Sequence, residues 1–117
     1  LSLGLTYAPL GQLDEAIAVW RNVRRGDNPE AYAAAQNNLG SAYEDKELFD
    51  DSFAARGRVL RSDSPYIYAV AQLNMGIAYY HNGSLDEAVT AWNRVLEEDD
   101  PQSYAEAQRN LALVNKH

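Results

Sequence analysis

Leu39-Gly40-Ser41-Ala42-Tyr43 and Met75-Gly76-Ile77-Ala78-Tyr79 are two writings of one phrase, 36 residues apart, and Leu3-Gly4-Leu5-Thr6-Tyr7 carries it as well. A second phrase keeps the interval. Leu13-Asp14-Glu15-Ala16-Ile17 with Trp20 and Val23 returns as Leu85-Asp86-Glu87-Ala88-Val89 with Trp92 and Val95. Asp27/Asp63/Asp99, Pro29/Pro65/Pro101, Tyr32/Tyr68/Tyr104 and Gln36/Gln72/Gln108 fall in phase between them. Self-similarity at this period marks stacked repeats, each unit burying its apolar face against its neighbours.

Each unit reads as two helices. Pro29, Pro65 and Pro101 suit a first helical turn, where a missing N–H is no loss, and Asn28, Ser64 and Asp100 before them are good N-caps. Tyr32, Ala35, Leu39, Ala42 and Tyr43 then follow at helical spacing. Breaks are expected at Gly11 and Gly83, and Ser84 to Glu87 has the spacing of a capping box. The second helix carries Ala88, Val89, Trp92, Val95 and Leu96 as an apolar stripe. The expected helices are a truncated one at about 1–8, then pairs 13–25 with 29–45, 49–61 with 65–81, and 85–98 with 101–115. The fold class is all-α, with units 1–25, 29–61, 65–98 and a terminal helix in 101–117 forming one repeat domain. The chain reads as an excerpt of something longer.

Gly4, Gly40 and Gly76 each cost about 1 kcal/mol relative to alanine inside a helix. A feature with that cost, recurring in phase, needs a packing reason. The expectation is that Ala16 and Ala88 face these glycines and that Trp20 and Trp92 fill the space beside the crossing. The middle copy has Ser52 and Arg56 at those positions, and Phe53 is the candidate to replace the lost aromatic volume.

The 117 residues are 46% hydrophobic and 23% charged, a composition that buries a core and excludes disorder. No apolar run reaches the roughly 18 residues that span a bilayer. The absence of cysteine excludes disulfides, thiol nucleophiles and thiolate metal sites. A net charge of −7 argues against nucleic acid as the main partner. Arg21, Arg24, Arg25, Arg56, Arg58 and Arg61 come closest to a basic cluster and are expected on a solvated outer face.

Leu-Gly-x-x-Tyr on first helices (Leu39-Gly40 to Tyr43, Met75-Gly76 to Tyr79), Ala-x-x-x-Trp on second helices (Ala16 to Trp20, Ala88 to Trp92) and the loop proline together resemble the tetratricopeptide repeat. The resemblance spans the chain. It departs in a repeat two residues longer than usual, in Gln36, Gln72 and Gln108 where the family often has Trp, in Glu47 for the turn glycine, and in Ala112 for Gly. Sel1-like repeats fit less well, because Asp45 to Leu48 is too short for their glycine-rich loop.

The resemblance implies a right-handed α-solenoid of antiparallel helix pairs whose first helices line a concave groove that binds a protein or peptide. Asn38, Asn74 and Asn110 precede the Leu-Gly position; such an amide either reaches a bound backbone or bonds a neighbouring helix. Leu73, Ile77 and Tyr80 form an apolar stripe, read either as groove surface or as core, with His81 and Arg109 beside them. The family's clamp for acidic chaperone tails needs Lys and Asn where this chain has Asn37 with Ser41, and Leu73 with Ile77. No catalytic triad, phosphate loop, calcium loop or zinc motif is present, so neither an enzyme, a cofactor nor a metal site is expected. His81 beside Glu44 or Asp45 reads as a surface histidine, and Glu97 to Asp100 as solubilising and capping groups. An alternative to groove binding is self-association into a homo-oligomer, through Leu1, Leu3 and Leu5 at one end and Leu111, Leu113 and Val114 at the other.

Overall fold

The computed structural model describes residues 10–115, all-helical with turns and no strand among the described residues. Among the described residues six helices follow in order: α1 Leu10–Arg21, α2 Pro29–Asp45, α3 Phe49–Gly57, α4 Pro65–His81, α5 Leu85–Asn93 and α6 Pro101–Asn115. This is consistent with an α-solenoid. α2 packs on α3 and α4 on α5, while α2, α4 and α6 meet one another in sequence. The segment 1–8, including Leu1, Leu3, Leu5 and Gly4, lies outside the described residues.

The long helices start where their caps dictate. Asn28 Oδ1 accepts the Ala31 N–H at 3.0 Å, Ser64 Oγ that of Ile67 at 3.2 Å, and Asp100 Oδ2 that of Ser103 at 3.3 Å. Both α2 and α4 end in the same left-handed turn. Glu47 (φ 61°) and Gly83 (φ 82°) reverse the chain, and the N–H groups of Leu48 and Ser84 reach back to the carbonyls of Tyr43 (2.8 Å) and Tyr79 (2.9 Å). A three-residue connection then folds the following helix back along the one before. Glu47 adopts here a conformation that suits glycine.

Several expectations are corrected. The second helices are shorter than 13–25, 49–61 and 85–98. After Gly57 and Asn93 the chain tightens, with N–H groups bonding three residues back (Val59 to Arg56 at 3.2 Å, Val95 to Trp92 at 3.1 Å). This turns Val59 and Val95 into the core, where both are buried. Burying a branched side chain there outweighs one more helical turn. Gly11 lies within α1, so it is not a break. Ser84 makes no side-chain capping bond, and its own N–H, which a capping-box Glu87 would receive, donates to the Tyr79 carbonyl instead.

The arginines are not simply a solvated face. Arg25 Nε donates to Asp63 at 2.9 Å and its Nη2 to the Arg58 carbonyl at 2.7 Å. Arg61 repeats this one unit later, donating to both carboxylate oxygens of Asp99 at 2.7 Å and to Glu98 at 2.9 Å. These paired guanidinium clasps join successive repeats; Arg61 grips Asp99 as a fork through Nε and Nη2, whereas Arg25 reaches Asp63 through Nε alone. Bonding to their carboxylates holds both guanidinium groups further above the ordinary arginine range. Arg58 donates to Gln36 at 3.2 Å. Arg21 donates to the Tyr43 hydroxyl at 2.7 Å.

Candidate functional site

The site is built on the contact between each first-helix glycine and the second helix beside it. A Cβ on Gly76 would stand 2.2 Å from Trp92 Nε1 and 2.4 Å from its Cδ1. The indole therefore lies directly on the glycine, with Nε1–H donating to the Leu73 carbonyl at 3.2 Å. The expected partner, Ala88, is buried nearby but is not among the atoms closest to Gly76. A flat ring needs a surface without a Cβ more than a methyl group does.

In the middle copy Arg56 takes the indole's place. A Cβ on Gly40 would meet Arg56 Cγ at 2.5 Å and Nε at 2.6 Å. The guanidinium is 2% exposed, donates to Asn37 (3.3 Å) and Ser41 (3.0 Å), and places Nη1 3.0 Å from Glu44 Oε2. That last contact is an ion pair without a well-directed hydrogen bond. Ser52 Oγ donates to the Gly40 carbonyl at 2.8 Å. Phe53 does not fill the vacated aromatic space; it stacks on Tyr79 with ring centroids 4.0 Å apart. Nothing in the structure explains Gly57, which faces open space.

Two consecutive inter-helix spaces therefore differ in chemistry. Ser41, Glu44 and Arg56 occupy the positions that Ile77, Tyr80 and Trp92 hold one repeat later. The earlier positions are bound to one another by the arginine. The later ones border a pocket of about 370 Å³ between α4 and α6, completed by His81, Glu106, Arg109, Asn110 and Leu113. Leu73, the counterpart of Arg109 one repeat earlier, is buried in the core with Ala69, Trp92, Val95 and Ala107.

Of the eight residues singled out by sequence, Ile77, Tyr80, His81, Arg109 and Asn110 meet at this pocket. Leu73 belongs to the core. Asn38, exposed on α2, and Asn74, half-buried on α4, do not line it. Among the described residues, none of the three asparagine side chains hydrogen-bonds another helix. Trp92, Glu106 and Leu113 complete the pocket. Glu106 was legible as the residue one turn before Arg109 and Asn110 on α6. Trp92 was not, because its apolar stripe pointed to core alone. His81 lies edge-on to Tyr80 at 5.9 Å, and of the two carboxylates within reach by sequence, Glu44 and Asp45, Glu44 is committed to Arg56.

Elsewhere, Asp99 and Glu98 bind Arg61 and Asp100 caps α6, so the acidic run serves local structure. Among the described residues no cluster of His, Asp and Glu has the arrangement of a metal site, and no helix is long and apolar enough to cross a membrane.

The tetratricopeptide repeat model matches residues 1–66, 54–104 and 73–115. No curated protein and no solved structure matches the chain. With the glycine–indole contact, the capped helix pairs and the family match in agreement, the chain belongs to the tetratricopeptide-repeat family, whose repeats act as scaffolds for protein–protein interaction.

Proposed function

We propose that the chain is a non-catalytic scaffold that binds a protein or peptide segment along the face formed by α2, α4 and α6, with the α4–α6 pocket as its principal contact. The single observation that supports this is the contrast between the two spaces: one occupied by Arg56 and its polar partners, the next open with apolar walls. Asn38, Asn74 and Asn110 run beside them with amides available to a bound backbone, and residues 1–117 serve as one repeat domain. The test is capture of partners by the full chain, compared with Ile77→Asp and Leu113→Asp. Val19→Asp, on an α1 side chain that is 63% exposed and away from the pocket, is the control. Loss of partners with the first two and retention with the third is expected. Equal capture by all three discards this surface.

End-to-end self-association is the second reading, favoured by the exposed Leu113 beside the half-buried Leu111 and Val114 on α6. One residue opposes it. Ala112 stands where α2 and α4 have glycine, so its Cβ blocks the seat that an indole such as Trp20 of a second copy would need. Sedimentation over a concentration series, showing monomer throughout, would remove this reading.

A further inference from the structure

The turn between α4 and α5 holds a reactive pair of residues that the groove reading does not use. Of the asparagines in the chain, Asn82 alone is followed by glycine, and both members of the pair are exposed. A side-chain amide in that setting is open to attack by the next backbone nitrogen, because glycine has no Cβ to crowd the approach. After Asn28 that nitrogen belongs to Pro29 and has no proton to lose; after every other asparagine it belongs to a residue with a side chain. The equivalent turn after α2 reads Lys46-Glu47 and lacks the amide altogether.

The fold holds the pair in a shape that resists this reaction. Asn82 has ψ −2°, which brings the Gly83 nitrogen over the Asn82 nitrogen and turns it away from the side chain. The Gly83 N–H donates to the Tyr80 carbonyl at 3.0 Å, and the Ser84 N–H closes the turn on Tyr79 at 2.9 Å. Attack needs the Gly83 nitrogen deprotonated and rotated toward the side chain, so its hydrogen bond must first break in a local opening. We propose that Asn82 is a site of spontaneous deamidation gated by opening of the α4–α5 turn, and that its isoaspartyl product unseats α5. The Gly83 nitrogen gives its proton to solvent base and bonds to Asn82 Cγ. The amide nitrogen takes a proton from solvent and leaves as ammonia, and a cyclic succinimide remains. Water then adds to one of the two ring carbonyls. Opening at the side-chain carbonyl leaves aspartate; opening at the backbone carbonyl leaves isoaspartate, whose main chain runs through Cβ and Cγ.

The two products differ in what they do to the turn. Isoaspartate lengthens the main chain inside the segment that the Ser84 to Tyr79 bond closes. Beyond it, α5 carries Trp92, whose indole rests on Gly76. Aspartate keeps the backbone and adds only a negative charge at the C-terminal end of α4, where the helix dipole disfavours it.

The test is incubation of the full chain in mildly alkaline oxygen-18 water, folded and in urea, followed by digestion and mass spectrometry. An isoaspartate-specific methyltransferase separates the two products. Label is expected at Asn82 ahead of every other asparagine, and about fivefold more slowly in the folded chain, the factor for one retained backbone hydrogen bond. In a Trp20→Phe background the purified isoaspartyl chain should show a lower urea midpoint and altered Trp92 emission, whereas Asn82→Asp should keep that emission. No excess label at Asn82 even in urea would overturn the site. Equal rates in the folded and unfolded chain would overturn the gate, and an isoaspartyl chain with unchanged midpoint and emission would overturn the effect on α5. None of these outcomes bears on the groove reading.

Discussion

Replacing Gly76 by alanine should destabilise the protein, although alanine is the better helix former. The new Cβ would stand 2.2, 2.4 and 2.7 Å from three atoms of the Trp92 indole, against about 3.5–4.0 Å for an ordinary carbon contact. The ring must withdraw by more than 1 Å. It is 2% exposed, and its Nε1–H is held by the Leu73 carbonyl, so withdrawal also strains a buried hydrogen bond. Overpacking of this kind costs about 1–3 kcal/mol and the weakened bond about 1 kcal/mol more, while helix propensity returns about 1 kcal/mol. A net loss of about 1–3 kcal/mol follows. Urea denaturation followed by circular dichroism measures it, and Trp92 emission in a Trp20→Phe background reports whether the indole has moved. Gly40→Ala should cost less, since the group it meets is the flexible stem of Arg56 rather than a rigid ring. Gly76→Ala in a Trp92→Leu background should lose its penalty. An unchanged or raised urea midpoint, with unaltered Trp92 emission, would refute the nesting of indole on glycine.

Other outcomes follow from the same contacts. Glu44→Ala leaves the buried Arg56 guanidinium without its counter-charge and should cost about 3 kcal/mol in urea denaturation, the lower end for breaking a buried pair. The triple change Ser41→Ile, Glu44→Tyr, Arg56→Trp copies the following repeat and should be neutral or stabilising. Glu47→Gly places glycine at φ 61° and should raise stability by about 1 kcal/mol, read as a higher urea midpoint; Gly83→Ala should lower it. Burial, aided by the Glu87 charge, raises the Tyr79 hydroxyl above its ordinary value. An unfolded tyrosine loses its proton near pH ~10 and folded Tyr79 only above that, so the unfolded chain releases its proton first. This contribution is therefore complete below pH ~10 and is lost as pH rises through the folded value. Tyr79→Phe should flatten that part of the alkaline stability profile.

Features that depend on neighbours in the chain or on strict recurrence could be read from the residues alone. The starts of α2, α4 and α6 were legible because an N-cap followed by proline is a local signal, satisfied within one turn. The family was legible because independent positions kept a single interval. The ends of α3 and α5 were not, since they depend on where Val59 and Val95 find a core to enter. The clasps joining Arg25 to Asp63 and Arg61 to Asp99 did leave a trace, both partners recurring in phase, but charge alone does not tell a bonded pair from a solvated one. It took the packing of the helices to bury Leu73 in the core and leave Ile77 half-buried beside it on the pocket wall, and to fill one inter-helix space with Arg56 while the equivalent next to Trp92 stays open. The reason is physical: a helical pattern states which residues share a face, whereas whether that face meets a neighbour or leaves a gap depends on the volumes and charges that several helices bring together.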